Sequence, residues 1–246
     1  MRDDGDWDAI ASPTPSTIFV PWSIRETATA TFMVFAAFVA FIGILGFTSL
    51  ALSESQRISI APWFAFASEA ILLYVVWNYG VGKHATGWAI LGFRRLTSLR
   101  FAWLAPAALA AGMVATGVYA AVTVALELDW LLPQPIPEEL LGGGAIQQTL
   151  IAVVLSTWVP FAEEIFFRGF LLQGIASRYG VARGVVFSAL LFSVAHMTIA
   201  TFIPIFLIGL ILGLVYAKSR SLWIPMAAHS AQNLLAVIAG LVTTAS

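Results

Sequence analysis

Seven long apolar runs constrain the fold of this chain more than any other feature of its sequence. They lie at about 28–51, 60–81, 102–126, 147–177, 182–198, 200–217 and 222–243. A run of about 18 or more apolar residues is long enough to cross a membrane as a helix. The sequence therefore predicts an all-α, polytopic membrane bundle with seven transmembrane helices, or eight if the fourth run is divided.

The composition agrees with a membrane protein and excludes several functions. Hydrophobic residues make up 60% of the 246 residues and charged residues 10%, whereas soluble domains are about half apolar and one quarter charged. The net charge of −1 and the lack of a basic run give no sign of nucleic-acid binding. The chain has no cysteine, which excludes disulfides, thiolate zinc sites and cysteine nucleophiles.

The domain organisation follows from the same pattern. Residues 1–26 are acidic and interrupted by Pro13 and Pro15, which predicts a short disordered cytoplasmic tail. Residues 27–246 form a single transmembrane bundle. The fourth run is too long for one perpendicular crossing, so its helix must tilt, leave the membrane, or break near Gly169 or Gly174.

Basic residues between the runs predict the orientation of the bundle. Ten of the twelve lysines and arginines fall in the tail and in alternate loops on one side, whereas the other side has only Arg57, and Arg168 lies within a span. Because cytoplasmic loops are enriched in lysine and arginine, we expect the N-terminus in the cytoplasm. Seven crossings then leave the C-terminus outside.

Polar side chains within the fourth, fifth and seventh runs are the candidate functional residues. An ionisable side chain at membrane depth costs about 2.5–3.5 kcal/mol on insertion scales, so it indicates function unless another reason is found. The set is Glu163, Glu164, Arg168, His196, His229 and Asn233. Glu69 in the second run is a further acid, for which both a structural and a cavity-lining role stay open.

Helical spacing divides the acids into two roles. Arg168 follows Glu164 by four residues and lies about 40° from it around the helix axis, which favours an ion pair. Glu163 is about 140° from Arg168, so we expect it to face a cavity and to serve as a general base for water. The alternative is a buried ion-pair network that only specifies helix packing.

Each of two histidines is paired with another residue four positions away in the sequence. Phe192 lies one turn before His196, and His229 and Asn233 lie one turn apart on one face of the seventh span. A lone histidine in an apolar helix is usually a packing residue. Two histidines, an amide and an acid pair can instead supply a base, its partner and donors to an oxyanion.

These three motifs together resemble the CAAX protease and bacteriocin-processing (CPBP, or Abi) family of intramembrane endopeptidases. The family pattern is EExxxR, FxxxH and HxxxN in this order, and the chain carries all three. The resemblance covers about 145–240, the expected catalytic core. It implies that Glu163 and His196 activate water, that His229 and Asn233 stabilise the oxyanion, and that Glu164, Arg168 and Phe192 support the site.

The resemblance also bears on cofactors and partners. The favoured mechanism needs no cofactor, and the alternative is one Zn²⁺ bound by His196, His229 and one of Glu163 and Glu164. The implied partners are membrane lipid and a hydrophobic or lipidated, CAAX-like substrate in the cytoplasmic membrane of a prokaryote; the oligomeric state is not indicated. A membrane scaffold or a proton-coupled carrier is the alternative function.

One difficulty concerns depth. Counted at about 1.5 Å per residue from the run boundaries, Glu163 lies toward the cytoplasmic side and His196 toward the outer side. The two meet only if the fourth span begins deeper, the fifth starts earlier, or the helices tilt strongly.

Overall fold

The structure, a computed structural model, describes residues 18–96, 101–133, 136, 141 and 144–245. Within these residues the chain is helical and contains no strand, as predicted. The main helices are α1 (Ile24–Ser49), α2 (Glu54–Val76), α3 (Leu104–Ala125), α4 (Ala145–Tyr179), α5 (Val181–Ala195), α6 (Ile199–Ser219) and α7 (Trp223–Ala245). The predicted polytopic helical bundle is therefore confirmed.

Six of these helices are long and apolar enough to cross a membrane, and α5 is the exception. Its 15 residues extend only about 22 Å, whereas the hydrocarbon core is about 30 Å thick. The predicted fifth span (182–198) is thus an apolar helix of less than membrane length. α5 and α6 form an antiparallel hairpin, and the chain reverses at Met197, whose φ of 51° lies in the left-handed region.

α4 is a single uninterrupted helix of 35 residues, so of the three alternatives for this run the break near Gly169 or Gly174 does not occur. At about 1.5 Å per residue it measures about 52 Å, which requires tilt or extension beyond the hydrocarbon. The two glycines serve close packing instead. A Cβ on Gly169 would lie 3.1 Å from the Cβ of Leu91, and one on Gly174 would overlap the Thr27 hydroxyl.

Two stretches of α4 have π-helical hydrogen bonding, Val154–Trp158 and Ile165–Leu172. Each such turn is wider than an α-helical turn and is frequently found at a functional site. Glu163 and Glu164 lie on the α-helical piece between the two stretches, Val159–Glu164. The local backbone is therefore irregular on both sides of the acid pair.

α4 occupies the centre of the bundle. All residues from Glu164 to Ala176 are buried, among them Phe166, Phe167 and Phe170. The segment before α1 also joins the core, because Ile18 and Trp22 are buried and the Trp22 ring stacks on Phe170 at 5.1 Å. Ordered structure thus starts within the predicted tail, whose residues 1–17 lie outside the described part of the chain.

Candidate active site

A buried ion pair forms the base of the candidate site. Nη1 of Arg168 lies 2.7 Å from Oε1 of Glu164, and both side chains are fully buried. The guanidinium stacks 4.4 Å from the ring centroid of Phe192 on α5, and its Nη2 donates to the carbonyl of Gly209 on α6. Arg168 therefore ties α4 to two neighbouring helices while neutralising Glu164.

His229 on α7 lies between the two glutamates. Its Nδ1 is 2.9 Å from Oε1 of Glu164, and its Nε2 is 3.5 Å from Oε2 of Glu163. Glu164 is ionised in its pair with Arg168, and an ionised carboxylate can only accept hydrogen bonds. Nδ1 of His229 is therefore the donor in its bond to Glu164 and carries a proton. Nε2 then faces Glu163. Helical spacing alone had not indicated that Glu164 would fix the orientation of His229.

His196 lies at the carboxyl end of α5, on the same side of the bundle as His229. Its Nδ1 is 2.9 Å from the carbonyl of Phe192, which can only accept, so Nδ1 carries the proton. The Phe192 ring is 5.0 Å from the His196 ring and 5.7 Å from the His229 ring, measured between centroids. Phe192 thus packs against both histidines and against Arg168.

The depth difficulty disappears in the structure because of the turn at Gly180. Glu163 and the end of α4 at Tyr179 are 16 residues apart, and α5 runs 15 residues from Val181 to Ala195, just before His196. The two segments are antiparallel and span about 24 Å and 22 Å. Measured from their shared turn, Glu163 and His196 therefore lie at nearly equal depth.

Asn233 lies one turn beyond His229 and contacts α4. Its Nδ2 donates to the carbonyl of Leu155 at 2.9 Å. Leu155 belongs to the first π-helical stretch. One donor of the proposed oxyanion amide is therefore engaged with the backbone, and the side chain is held at the edge of the cluster.

The site contains several buried polar atoms without a hydrogen-bond partner among the described residues. They are Oε2 of Glu69, Oε2 of Glu163, Oε2 of Glu164 and Nε of Arg168. Buried polar groups in native structures are normally satisfied by protein or ordered water. Such a group of free acceptors, together with one donor, suits a site that holds water and a polar substrate group.

Glu69 is the additional acid that reaches this group from α2. It is 7% exposed and interacts electrostatically with Glu163. The sequence indicated it only as an acid at membrane depth; the spacing of the three motifs carries no information about α2. The structure therefore adds a third glutamate beside the predicted pair.

The described residues do not form a ready zinc site. No group of three His, Asp or Glu side chains in this part of the chain is arranged to hold a metal ion. Oε1 of Glu164 already accepts from Arg168 and His229, and Nδ1 of His196 is bonded to a carbonyl. These contacts leave Nε2 of His196 and Nε2 of His229 as the ring nitrogens for a metal ion, so Zn²⁺ stays the alternative to a mechanism without a metal.

Comparison with known proteins gives a family for the segment that carries this site. Residues 145–235 match the family described as Type II CAAX prenyl endopeptidase Rce1-like. The resemblance predicted from the three motifs is thus confirmed, and it covers every residue of the cluster except Glu69. No curated protein and no solved structure matched the chain.

Proposed function

We propose, from the Rce1-like match of residues 145–235, that this protein is an intramembrane endopeptidase in which Glu163 activates water. The family implies a peptidase. The observation that supports Glu163 as the base is that the two glutamates have different partners. Glu164 is neutralised by Arg168 at 2.7 Å, whereas Glu163 forms no ion pair with a lysine or arginine of the described residues and faces the Nε2 of His229. Glu163 is therefore the acid free to accept a proton.

In the proposed reaction, the Glu163 carboxylate takes a proton from water as the water oxygen attacks the scissile carbonyl carbon. His196 orients this water. His229 and Asn233 stabilise the negative charge that develops on the carbonyl oxygen, as pre-oriented donors do in acyl-transfer enzymes. Glu164 and Arg168 hold His229 and Phe192 in position. Residues 145–240 form the catalytic core of the bundle 27–246.

Donation from His229 to the oxyanion requires a proton on Nε2. Glu164 accepts from Nδ1 and thereby fixes the orientation of the ring, with Nε2 directed toward Glu163. The same carboxylate is balanced by Arg168. The pair therefore supplies His229 with one fixed hydrogen bond and leaves its other nitrogen for the reaction.

The proposed substrate is a hydrophobic or lipidated, CAAX-like peptide that reaches the site from within the membrane. We propose a glutamate mechanism without a metal, in the cytoplasmic membrane of a prokaryote, with the N-terminus inside and the C-terminus outside. Because the chain lacks cysteine, Ser53→Cys should react with an impermeant thiol reagent added outside, and Lys83→Cys should not. The reverse pattern contradicts this orientation.

The central experiment compares wild-type protein with Glu163→Gln on a panel of peptides in proteoliposomes. The panel contains prenylated CAAX peptides and unmodified hydrophobic peptides, and cleavage is measured by mass spectrometry. Loss of a general base lowers the rate by about 10²- to 10⁴-fold. The control is Glu54→Gln, an exposed acid at the start of α2, which should retain wild-type activity. Full activity of Glu163→Gln would overturn the proposal.

Two further measurements decide the mechanism and the substrate. Activity should survive exhaustive chelation, whereas a loss that only Zn²⁺ restores would establish the metal-dependent alternative. Membrane peptides that accumulate in Glu163→Ala cells but not in wild-type cells should identify the natural substrate.

The non-enzymatic alternative has one observation in its favour. Glu69, Glu163 and His229 follow one another across the bundle, and such a series can relay protons. A proton-coupled carrier would show pH-driven proton flux into proteoliposomes that Glu163→Gln abolishes, with no cleavage of any peptide. An endopeptidase would show the cleavage instead.

A further inference from the structure

Glu69 is an acid of the bundle to which the three motifs give no role. It is buried, and its Oε2 has no hydrogen-bond partner among the described residues. It interacts electrostatically with Glu163. A polar group buried in apolar surroundings costs free energy when it is unpaired. A purely structural role gives no reason for leaving one carboxyl oxygen without a partner.

The packing of α2 on α4 fixes the position of Glu69. The two helices pair at successive levels. Near their starts, the side chain of Gln147 bonds to the carbonyl of Ile58. Further along, Nε1 of Trp158 donates to the carbonyl of Phe66 at 3.0 Å, and the two rings stack at 4.5 Å.

Glu69 follows Phe66 by three residues, and Glu163 follows Trp158 by five. Both acids therefore come about one turn after the stacked rings, on helices that run in the same direction. The Trp158–Phe66 contact therefore places the two acids at a similar level of the α2–α4 interface, in agreement with their electrostatic interaction.

A cavity of about 510 Å³ lies between α1 and α2 and reaches Glu69. Its walls are mainly apolar, with Phe38, Phe41 and Phe64 among them, and Glu69 is the last lining residue along α2. The α1 residues that line the cavity carry no titratable group. Apart from Glu69, the only charged residue in the lining is Arg57. That residue lies 12 positions earlier on α2, about 18 Å away.

The charged groups facing Glu69 are therefore few. Across the interface, α4 presents Glu163, with the Glu164–Arg168 pair behind it. Glu69 forms no ion pair with any cation in the part of the chain that the structure describes, and Arg168 is bonded to Glu164. Glu69 and Glu163 are thus two acids in a water-poor site, the kind of arrangement from which acid–base pairs of enzymes are built.

We propose that Glu69 is the general acid of the reaction, the group that gives a proton to the leaving amine. This inference rests on the proposed function. As water adds to the carbonyl carbon, its proton goes to Glu163. When the C–N bond breaks, its electron pair stays on nitrogen, which takes the proton of the Glu69 carboxyl group. Transfer of the proton from Glu163 to Glu69 then restores both acids.

The balance of this step explains why two acids are needed. One water is consumed: its OH joins the acyl carbon and a proton joins the amine. Glu163 begins as the carboxylate and Glu69 as the neutral acid. The cavity between α1 and α2 ends at Glu69 and would hold the leaving part of an apolar substrate.

The test compares two substrates that differ in the leaving group. One is the best-cleaved member of the peptide panel, and the other is its nitrophenyl ester, whose leaving group needs no proton. Glu69→Gln keeps the size and polarity of the side chain but cannot release a proton. We expect it to slow amide hydrolysis by about 10²- to 10⁴-fold with little change in KM. Ester hydrolysis should fall less than about tenfold, which also shows that the variant is folded.

Each other outcome is decisive. Equal losses on the amide and the ester, or normal activity on both, would overturn the role of Glu69 as general acid while leaving Glu163 in place. Glu163→Gln should impair both substrates, and Glu54→Gln neither. If wild-type protein cleaves no member of the panel, the proposed function fails, and the role of Glu69 fails with it.

Discussion

The three N-terminal helices and the C-terminal helices differ in how much of their surface the protein itself covers. In the most apolar stretches of α1, α2 and α3, 11–22% of the residues are buried, against 39–50% in α4, α6 and α7. The first group therefore presents most of its side chains to lipid. The second group encloses the ion pair, the histidines and the segment that matches the Rce1-like family.

This difference shows what specifies the packing of such a bundle. Lipid tails are as apolar as leucine, so burial of apolar surface does not by itself hold helices together in a membrane. Close backbone approach and polar contacts do, and both are concentrated in α4–α7. The exception is Glu69, by which a helix of the exposed group reaches the buried site. Three predictions test the comparison, each by pairing a residue in one group with a counterpart elsewhere.

The largest expected effect comes from removing Arg168. Arg168→Met leaves Glu164 as an uncompensated buried charge and removes the contacts to Phe192 and Gly209. Breaking a buried pair in this way costs about 3–5 kcal/mol. The measurement is the loss of folded protein in detergent on heating, compared with wild-type protein.

The control for this variant is Arg183→Met at the exposed start of α5, which should change the thermal stability little. Adding Glu164→Gln to Arg168→Met should recover part of the loss, because it removes the unpaired charge. An Arg168→Met protein as stable as wild type would show that the ion pair does not distinguish the C-terminal group.

How far the sequence could predict these features depends on what each one requires. The run at 147–177 predicts α4 (Ala145–Tyr179) to within two residues at each end, because membrane length and hydropathy fix it locally. The spacing of Glu164 and Arg168 likewise predicts their pairing. The sequence left open whether this helix tilts, leaves the membrane or breaks near Gly169 or Gly174. The break does not occur, and these glycines instead accommodate Leu91 and Thr27, which are distant in sequence.

Three-dimensional contacts between different helices account for what was not predicted. The link from His229 to Glu164 spans 65 positions, and Glu69 comes near Glu163 across an α2–α4 interface that includes the stacking of Phe66 on Trp158. The depth of His196 was misjudged because it was measured from span boundaries. Counted from the turn at Gly180, the same sequence gives a consistent depth.

An intermediate effect is expected from adding one methyl group to a glycine in each group of helices. A Cβ on Gly209 of α6 would lie 3.0 Å from the Cα and Cβ of Ala189 on α5, whereas one on Gly43 of α1 would meet nothing within 4 Å. Gly209→Ala should therefore separate α5 from α6 and destabilise the protein by about 1–3 kcal/mol.

Gly43→Ala is the matched control, since both changes raise the helix propensity equally. Thermal unfolding in detergent should separate the two variants clearly. Equal stability of the two would mean that α5 and α6 are no more tightly packed than α1 is against its surroundings. In that case the greater burial of the C-terminal helices would not make their packing more important for stability.

The smallest effect is expected at the ion pair of the N-terminal group. Nζ of Lys83 lies 2.8 Å from Oε1 of Glu26, at the start of α1, and the lysine side chain is 52% exposed. Such a pair is screened by water and salt and contributes about 0.2–1 kcal/mol. Lys83→Ala should therefore lower the stability only slightly, and the difference from wild type should shrink in 1 M salt.

The same salt should leave the Arg168→Met defect unchanged, because no solvent ion reaches a fully buried pair. His84 remains 3.1 Å from Glu26 and provides that carboxylate with another partner when Lys83 is removed. A large loss of stability in Lys83→Ala that does not depend on salt would contradict this prediction. The exposed pair would then contribute as much to stability as we expect only of Glu164 and Arg168. The two ion pairs are both close, so exposure to solvent, rather than distance, is what makes their expected contributions differ.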